Sequence, residues 1–92
     1  MEKLVYFGKY RHFKGMEYRV IKEIELEGEI FVLYQKLYGD FSYWLRPKKM
    51  FLDYKDGLKR FTFTGDVFVN TELPKRIEAK HSETEKIYEI IL

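Results

Sequence analysis

Through roughly the first seventy residues, apolar positions recur at every second place, the spacing of half-buried strands rather than of helices. Leu4 to Phe7 is a short apolar run stopped by Gly8, and Lys9 to Phe13 alternates until Lys14-Gly15. From Glu17 to Leu26 the apolar set Tyr18, Val20, Ile24 and Leu26 keeps a period of two, with a break near Ile21 and Lys22 that predicts a bulge or strong twist. Glu27-Gly28 suits a tight turn and Glu29 to Leu37 returns as a rich strand, so 17–37 reads as a β-hairpin with an acidic tip. Tyr38 to Ser42 turns the chain, Tyr43 to Arg46 is a short strand, and Pro47 ends it or marks a sheet edge. Lys48 to Leu52 reads as one helical turn delivering Met50 and Phe51 to the core. Asp56-Gly57 is a second hairpin turn, followed by a strand from Lys59 to Thr64 with Phe61 and Phe63 on one face. After Gly65-Asp66 a further strand, Val67-Phe68-Val69, precedes Asn70-Thr71.

Short strands spaced by turn signals predict a mainly β protein, a small and strongly bent antiparallel β-barrel whose closure hides its strand edges. The tail reads two ways. Leu73, Ile77, Thr84, Ile87 and Ile91 fit helical spacing, and Ser82 with Glu85 matches a capping box, so propensity slightly favours a helix. Lys75 to His81 and Lys86 to Leu92 equally form a hairpin around Ser82-Glu83-Thr84-Glu85.

The length of 92 residues predicts one domain with little surplus for an elaborate active site, and 46% hydrophobic with 18% aromatic residues predicts a packed, large-residue core. With no cysteine, a disulfide scaffold, a thiolate zinc site and a cysteine nucleophile are excluded, and a reducing compartment fits. The chain begins without the apolar run of a signal peptide, and no stretch approaches the ~18 apolar residues of a membrane span. A soluble, cytoplasmic protein is the expectation.

A net charge of +2 conceals alternating blocks: +3 over 1–21, −3 over 22–40, +4 over 41–60 and −2 over 61–92. In the basic blocks, Lys9-Tyr10-Arg11-His12-Phe13-Lys14 and Arg46-Pro47-Lys48-Lys49, cations interleave with or adjoin aromatics, which suits phosphate contact with base stacking. A lysine-rich solvated face is the plainer reading of the same residues.

Tyr38-Gly39-Asp40-Phe41-Ser42-Tyr43-Trp44-Leu45-Arg46-Pro47 sets a turn, aromatics and a cationic fork side by side, and Trp44 and Arg46 project from one strand face. Arg46 can hold a carboxylate or phosphate by two bonds, or can be consumed by Asp40 or a glutamate. Trp44 is a core residue or a stacking platform, and Tyr10, Tyr38 and Tyr43 share the ambiguity. His12 with Asp40 could make an oriented base, or His12 could simply bond within a turn. Asp40, after Gly39, reads as a turn-capping carboxylate. Two histidines without cysteine offer too few metal ligands, the glycines are scattered rather than forming a phosphate loop, and no serine sits in a nucleophile elbow.

Gly8 to Gly15 (Gly-Lys-Tyr-Arg-His-Phe-Lys-Gly), then Tyr18, Val20, Tyr34, Leu37-Tyr38-Gly39-Asp40, Trp44-Leu45-Arg46-Pro47, Met50-Phe51 and Arg60-Phe61 carry a resemblance. Over residues 8–63 the chain resembles the family of small bacterial domains known as domain of unknown function 1653. The resemblance implies a compact module of the Src-homology-3-like barrel type, followed by an extension over 65–92, and brings no established activity or cofactor. One departure stands out. Members of the family place a His-Ser-Glu-Thr motif after the second strand, where this chain has Ile24, Glu25, Leu26 and Glu27; the motif appears instead as His81-Ser82-Glu83-Thr84. Either Gly65 to Ile91 loosely echoes Gly8 to Leu33 as a second hairpin, serving this barrel or a neighbour's, or the motif is a chance match in a polar turn.

Three functional readings follow. The first is a binding module whose Arg11, His12, Lys14, Tyr38, Asp40, Trp44 and Arg46 receive an anionic ligand, nucleic acid or nucleotide. Next comes a protein-interaction or homodimerisation module using exposed aromatics and the tail. A small enzyme built on His12, Asp40 and Arg46 is placed last. All rest on closure of the sheet bringing the Tyr10-Arg11-His12 run beside Trp44 and Arg46.

Overall fold

The computed structural model describes residues 3–92. Nine strands and one helical turn follow in chain order: β1 (Gly8–His12), β2 (Glu17–Leu26), β3 (Glu29–Lys36), β4 (Tyr43–Pro47), α1 (Lys48–Phe51), β5 (Tyr54–Lys55), β6 (Leu58–Lys59), β7 (Phe61–Val67), β8 (Arg76–His81) and β9 (Ile87–Ile91). Seven of them form one mixed sheet in the order β7-β1-β2-β3-β4-β8-β9, antiparallel except where β8 runs parallel to β4; β5 and β6 make a separate small hairpin. No helix among the described residues is long and apolar enough to cross a membrane.

The molecule is mainly β, as the alternation predicts, but its sheet is open and mixed rather than a closed antiparallel barrel of the Src-homology-3 type. Closure would bring β7 round to the free side of β4, and β8 occupies that side. The tail is a strand-turn-strand and not a helix. Ile77 and Ala79 on β8 and Ile90 on β9 alternate into the core at period two, and this tertiary burial overrides helix propensity. The turn at 81–86 meets its own amide needs: His81 Nδ1 accepts the N–H groups of Glu83 at 3.0 Å and Thr84 at 3.3 Å.

The central hairpin forms where the pattern places it. Glu27 and Gly28 take φ of 52° and 81°, the positive pair of a two-residue hairpin turn, and Asp56 and Gly57 repeat it at 52° and 79° between β5 and β6. The break near Ile21 is a bulge: pairing with β3 shifts between Val20 and Lys22, so that Val20 and Ile21 are both buried although adjacent. The short apolar run Leu4 to Phe7 leads into a turn with Phe7 at φ 62°, and β1 begins at Gly8, a position where a Cβ would stand 2.8 Å from the Val5 carbonyl oxygen. One other reading changes. Gly65-Asp66 does not separate two strands; it lies inside β7 at an irregularity, since Gly8 pairs with Val67 but Tyr10 with Phe63.

β3 organises the core because all four of Phe31, Val32, Leu33 and Tyr34 are buried, two on each side of the sheet. On one side Val32 and Tyr34 join Tyr10, Tyr18, Val20, Phe51 and Phe61; on the other Phe31 and Leu33 join Ile21, Leu45, Ile77, Ala79 and Ile90. The helical turn delivers Phe51 to the first cluster, stacked on Phe61 at 4.1 Å and 4°, while Met50 stays half-buried. Pro47 is tolerated in β4 because the parallel partner β8 pairs only with Tyr43 to Leu45.

Candidate functional site

The first cluster is largely aromatic, and its buried tyrosines carry polar tips that need partners. Register does the gathering: Tyr18 faces Lys36 across β2 and β3, and Tyr34 faces Trp44 across β3 and β4. Tyr18, Tyr34, Lys36, Tyr38, Trp44 and Arg46 thereby line a cavity of about 190 Å³. The hydroxyls of Tyr18 and Tyr38 share a hydrogen bond of 2.8 Å, and Arg46 Nε donates to the Tyr34 hydroxyl at 3.2 Å. The Arg46 guanidinium also lies 5.6 Å from the Phe61 ring centre, and its Nη1 stands 3.7 Å from Glu83 of the tail turn. Lys36 Nζ lies 4.9 Å from the centre of the Tyr38 ring and 5.9 Å from that of Trp44, and Lys80 approaches Trp44 at 5.4 Å. Trp44 is held from below by its Nε1, which donates to Ser42 Oγ at 2.9 Å.

Protonation follows from burial. Burial, then the hydrogen bond with Tyr38, pushes the Tyr18 hydroxyl well above the ordinary tyrosine range. Burial also raises Tyr34, against the opposing pull of Arg46. Both hydroxyls therefore stay neutral at physiological pH, able to donate as well as accept. Two cations, neutral hydroxyls and a Trp44 wall make a surface suited to a flat group bearing negative charge.

The residues singled out from the sequence divide into separate places. Tyr38, Trp44 and Arg46 meet in this cavity. Arg11 and His12 line a different and larger hollow of about 490 Å³ with Phe13, Leu58, Lys59 and Thr62. Arg11 is exposed and pairs with Glu17 at 2.8 Å, a hydrogen bond that holds the Glu17 carboxyl below its usual range. The expected His12–Asp40 base is not formed. His12 Nδ1 accepts the Lys14 N–H at 3.1 Å, and its ring meets Phe61 edge-on at 5.0 Å. Burial, then the charges of Arg46, Arg60, Lys14 and Lys55, hold the imidazole below its ordinary pKa. Asp40 is the turn cap, accepting from the Ser42 N–H at 3.1 Å and pairing with Lys36 at 3.6 Å, and hydrogen bonding from Ser42 lowers its pKa. Arg46 is paired with Glu83, not Asp40. Lys14 lies over Phe13 at 5.9 Å, outside both hollows.

Tyr18, Tyr34 and Lys36 were not read as site residues from the sequence. Their period-two placement was visible, but the bulge at Ile21 decides which β2 residue faces which β3 residue.

A family model described as "Protein of unknown function (DUF1653)" matches residues 8–63. The chain belongs to the DUF1653 family. All six cavity residues lie inside the matched stretch, whereas the β8–β9 hairpin with Glu83 lies outside it. No curated protein and no solved structure matches the chain.

Proposed function

We propose that this DUF1653 chain is a small binding module whose Tyr18–Tyr34–Tyr38–Trp44 cavity receives a planar, anionic ligand of nucleotide type. The observation that carries the reading is the convergence of Lys36 and Arg46 with three tyrosine hydroxyls and Trp44 on one open cavity. At about 190 Å³ the cavity is smaller than the ~300–1,000 Å³ of drug-sized sites, so it accommodates one ring or one acidic group. The phosphate enters the cavity between Lys36 and Arg46, and the base stays at its mouth against the accessible part of the Trp44 ring. Single-stranded nucleic acid would place one phosphate in the cavity and the rest of the strand along the basic surface. Binding is favoured over catalysis because the tyrosine hydroxyls remain protonated and Asp40 is engaged by Ser42 and Lys36 instead of orienting His12.

Trp44 is the sole tryptophan of the chain, so its fluorescence reports on the cavity directly. Titration with nucleoside monophosphates and a single-stranded oligonucleotide at low salt is expected to give saturable quenching that weakens with added salt and is lost in Arg46→Ala and Lys36→Ala. No quenching and no binding heat with either probe would remove the nucleotide reading.

A further inference from the structure

The two edges of the main sheet are built differently. β7 carries an irregularity with Gly65 at φ 98° and the charged Asp66, features that bend and blunt an edge. β9 has neither the glycine nor the irregularity, and its one charge, Glu89, is paired with Arg76. Its pairing with β8 is regular from Ile87 to Ile91, without proline, glycine or bulge, and Ile87 and Ile91 are 57% and 71% exposed.

Hydrogen-bond parity shows what this edge offers. His81 donates to Lys86 and Leu92 to Lys75, which makes Lys86, Tyr88, Ile90 and Leu92 the residues bonded to β8. Ile87, Glu89 and Ile91 therefore turn their N–H and C=O groups outward. These outward residues form a palindrome, isoleucine–glutamate–isoleucine. In an antiparallel pair of two copies centred on Glu89, each Ile87 meets the other copy's Ile91, and both apolar contacts fall on one face. The two Glu89 side chains meet at the axis. Each already has a neutralising partner, since Arg76 Nη1 lies 3.1 Å from Glu89 Oε1. Glu78, directly opposite Glu89 on β8 and exposed on the same face, adds a second carboxylate per copy, so the two Arg76 guanidinium groups offset half of the negative charge at the centre and the contact is weakened by the rest.

We infer that β9 is the interface of a two-fold symmetric dimer, in which a second copy of this chain pairs antiparallel with Ile87–Ile91 and continues the sheet across the axis. Its self-complementarity is what a two-fold contact requires of one strand. The contact is short, below the ~1,000 Å² of stable interfaces, so the dimer is weak and concentration-dependent. It stands independently of the ligand reading, whose cavity lies on β2, β3 and β4.

Sedimentation velocity across a broad concentration range is expected to show the 11.3 kDa chain moving toward twice its mass. Glu89→Pro removes an outward N–H and the exposed Arg76 ion pair, and leaves the backbone bonds to β8 intact; it is expected to abolish the shift with circular dichroism retained and the melting midpoint little changed. Ile91→Lys, which places ammonium groups in the apolar contact, is expected to do the same while preserving the backbone. A wild-type chain that stays monomeric at the highest concentration overturns the inference. So does a dimer that survives both folded variants, or slow hydrogen exchange at the Ile87, Glu89 and Ile91 amides in a monomer, which would mean another occupant covers the edge.

Discussion

The two sides of β3 are packed from different materials. One carries Tyr10, Tyr18, Tyr34, Phe51 and Phe61 with Val20 and Val32; the other carries Ile21, Leu33, Leu45, Ile77, Ala79 and Ile90 with Phe31 as its one buried ring. None of the buried side chains of that second core carries a polar atom that needs a partner. Tyrosine packing differs: a buried ring with a polar tip must hand its hydroxyl a partner, and Tyr18 and Tyr34 do so with Tyr38 and Arg46. The candidate site is thus the polar fringe of the aromatic core, and the aliphatic core is what holds the tail hairpin on. The family match covers the whole aromatic cluster, from Tyr10 to Phe61, but only the Ile21, Phe31, Leu33 and Leu45 part of the other, leaving Ile77, Ala79 and Ile90 of the tail outside it.

The strongest way to break this comparison is to cut each core in turn. Phe61, 1% exposed, touches Tyr18, Tyr34 and Phe51 and supports the Arg46 guanidinium and the His12 ring. Phe61→Ala is expected to cost about 3–5 kcal/mol, and Ile77→Ala, at the 6% exposed margin of the other core, toward the lower part of about 2–5 kcal/mol. Both are expected to shift a single unfolding transition, because adjacent residues of β3 belong to both cores. Denaturant melts followed by Trp44 fluorescence and by far-ultraviolet circular dichroism should coincide in each variant. A separate early transition in Ile77→Ala would show the tail to be an independent unit.

A finer test compares the two partners of one contact across the boundary. Arg46 belongs to the aromatic side and Glu83 to the tail, and their atoms are 3.7 Å apart with Glu83 46% exposed. Arg46→Ala removes a charge-assisted bond that satisfies the buried Tyr34 hydroxyl and is expected to cost about 1.5–3 kcal/mol. Glu83→Gln removes only the loose ion pair and is expected to cost no more than about 1 kcal/mol. Thermal melts of the two variants and their double mutant measure the difference, and equal losses would place the weight of Arg46 on the tail instead of on Tyr34.

The β character, the 17–37 hairpin, the Ile21 bulge, the Lys48 turn and the common face of Trp44 and Arg46 were all legible in the sequence, because each is a local matter of alternation or turn chemistry. What was not legible is non-local. Nothing in the order of residues says that β8 will take the free side of β4, yet that pairing opens the sheet and brings Glu83 to Arg46. The site was half visible for the same reason. Tyr38, Trp44 and Arg46 sit in one recognisable segment, but Tyr34 and Lys36 enter through the β3–β4 register and Tyr18 through a β2–β3 register shifted by a bulge. Arg11 failed as a site partner of Trp44 by simple alternation: Tyr10 faces the aromatic core, which sends Arg11 outward to Glu17.

The smallest expected effect separates the sides by pH. His12 rests on the aromatic side against Phe61, where burial and then Arg46, Arg60, Lys14 and Lys55 oppose its protonation, so its folded pKa lies below the ordinary 6.5. Between that lowered value and 6.5 the unfolded chain binds more protons than the folded one, and stability rises with pH. The contribution is therefore complete above 6.5, is lost as pH falls toward the folded pKa, and is flat below it. Glu17, Glu23 and Asp40 act in a lower window. Hydrogen bonds from Arg11, Lys48 and Ser42 depress them, so their stabilisation is present above the ordinary values of 4.5 and 3.8 and is lost as pH falls through the depressed ones. Melting midpoints measured from about pH 7.5 to pH 5 should fall in the wild-type chain and fall less in His12→Gln, which keeps an acceptor near the Lys14 N–H but cannot take up a proton. His12 is only half-buried, so the difference is small. Identical slopes in the two proteins would mean that the cations gathered on the aromatic side do not act on His12, and that its ring is held there by Phe61 and the Lys14 amide alone.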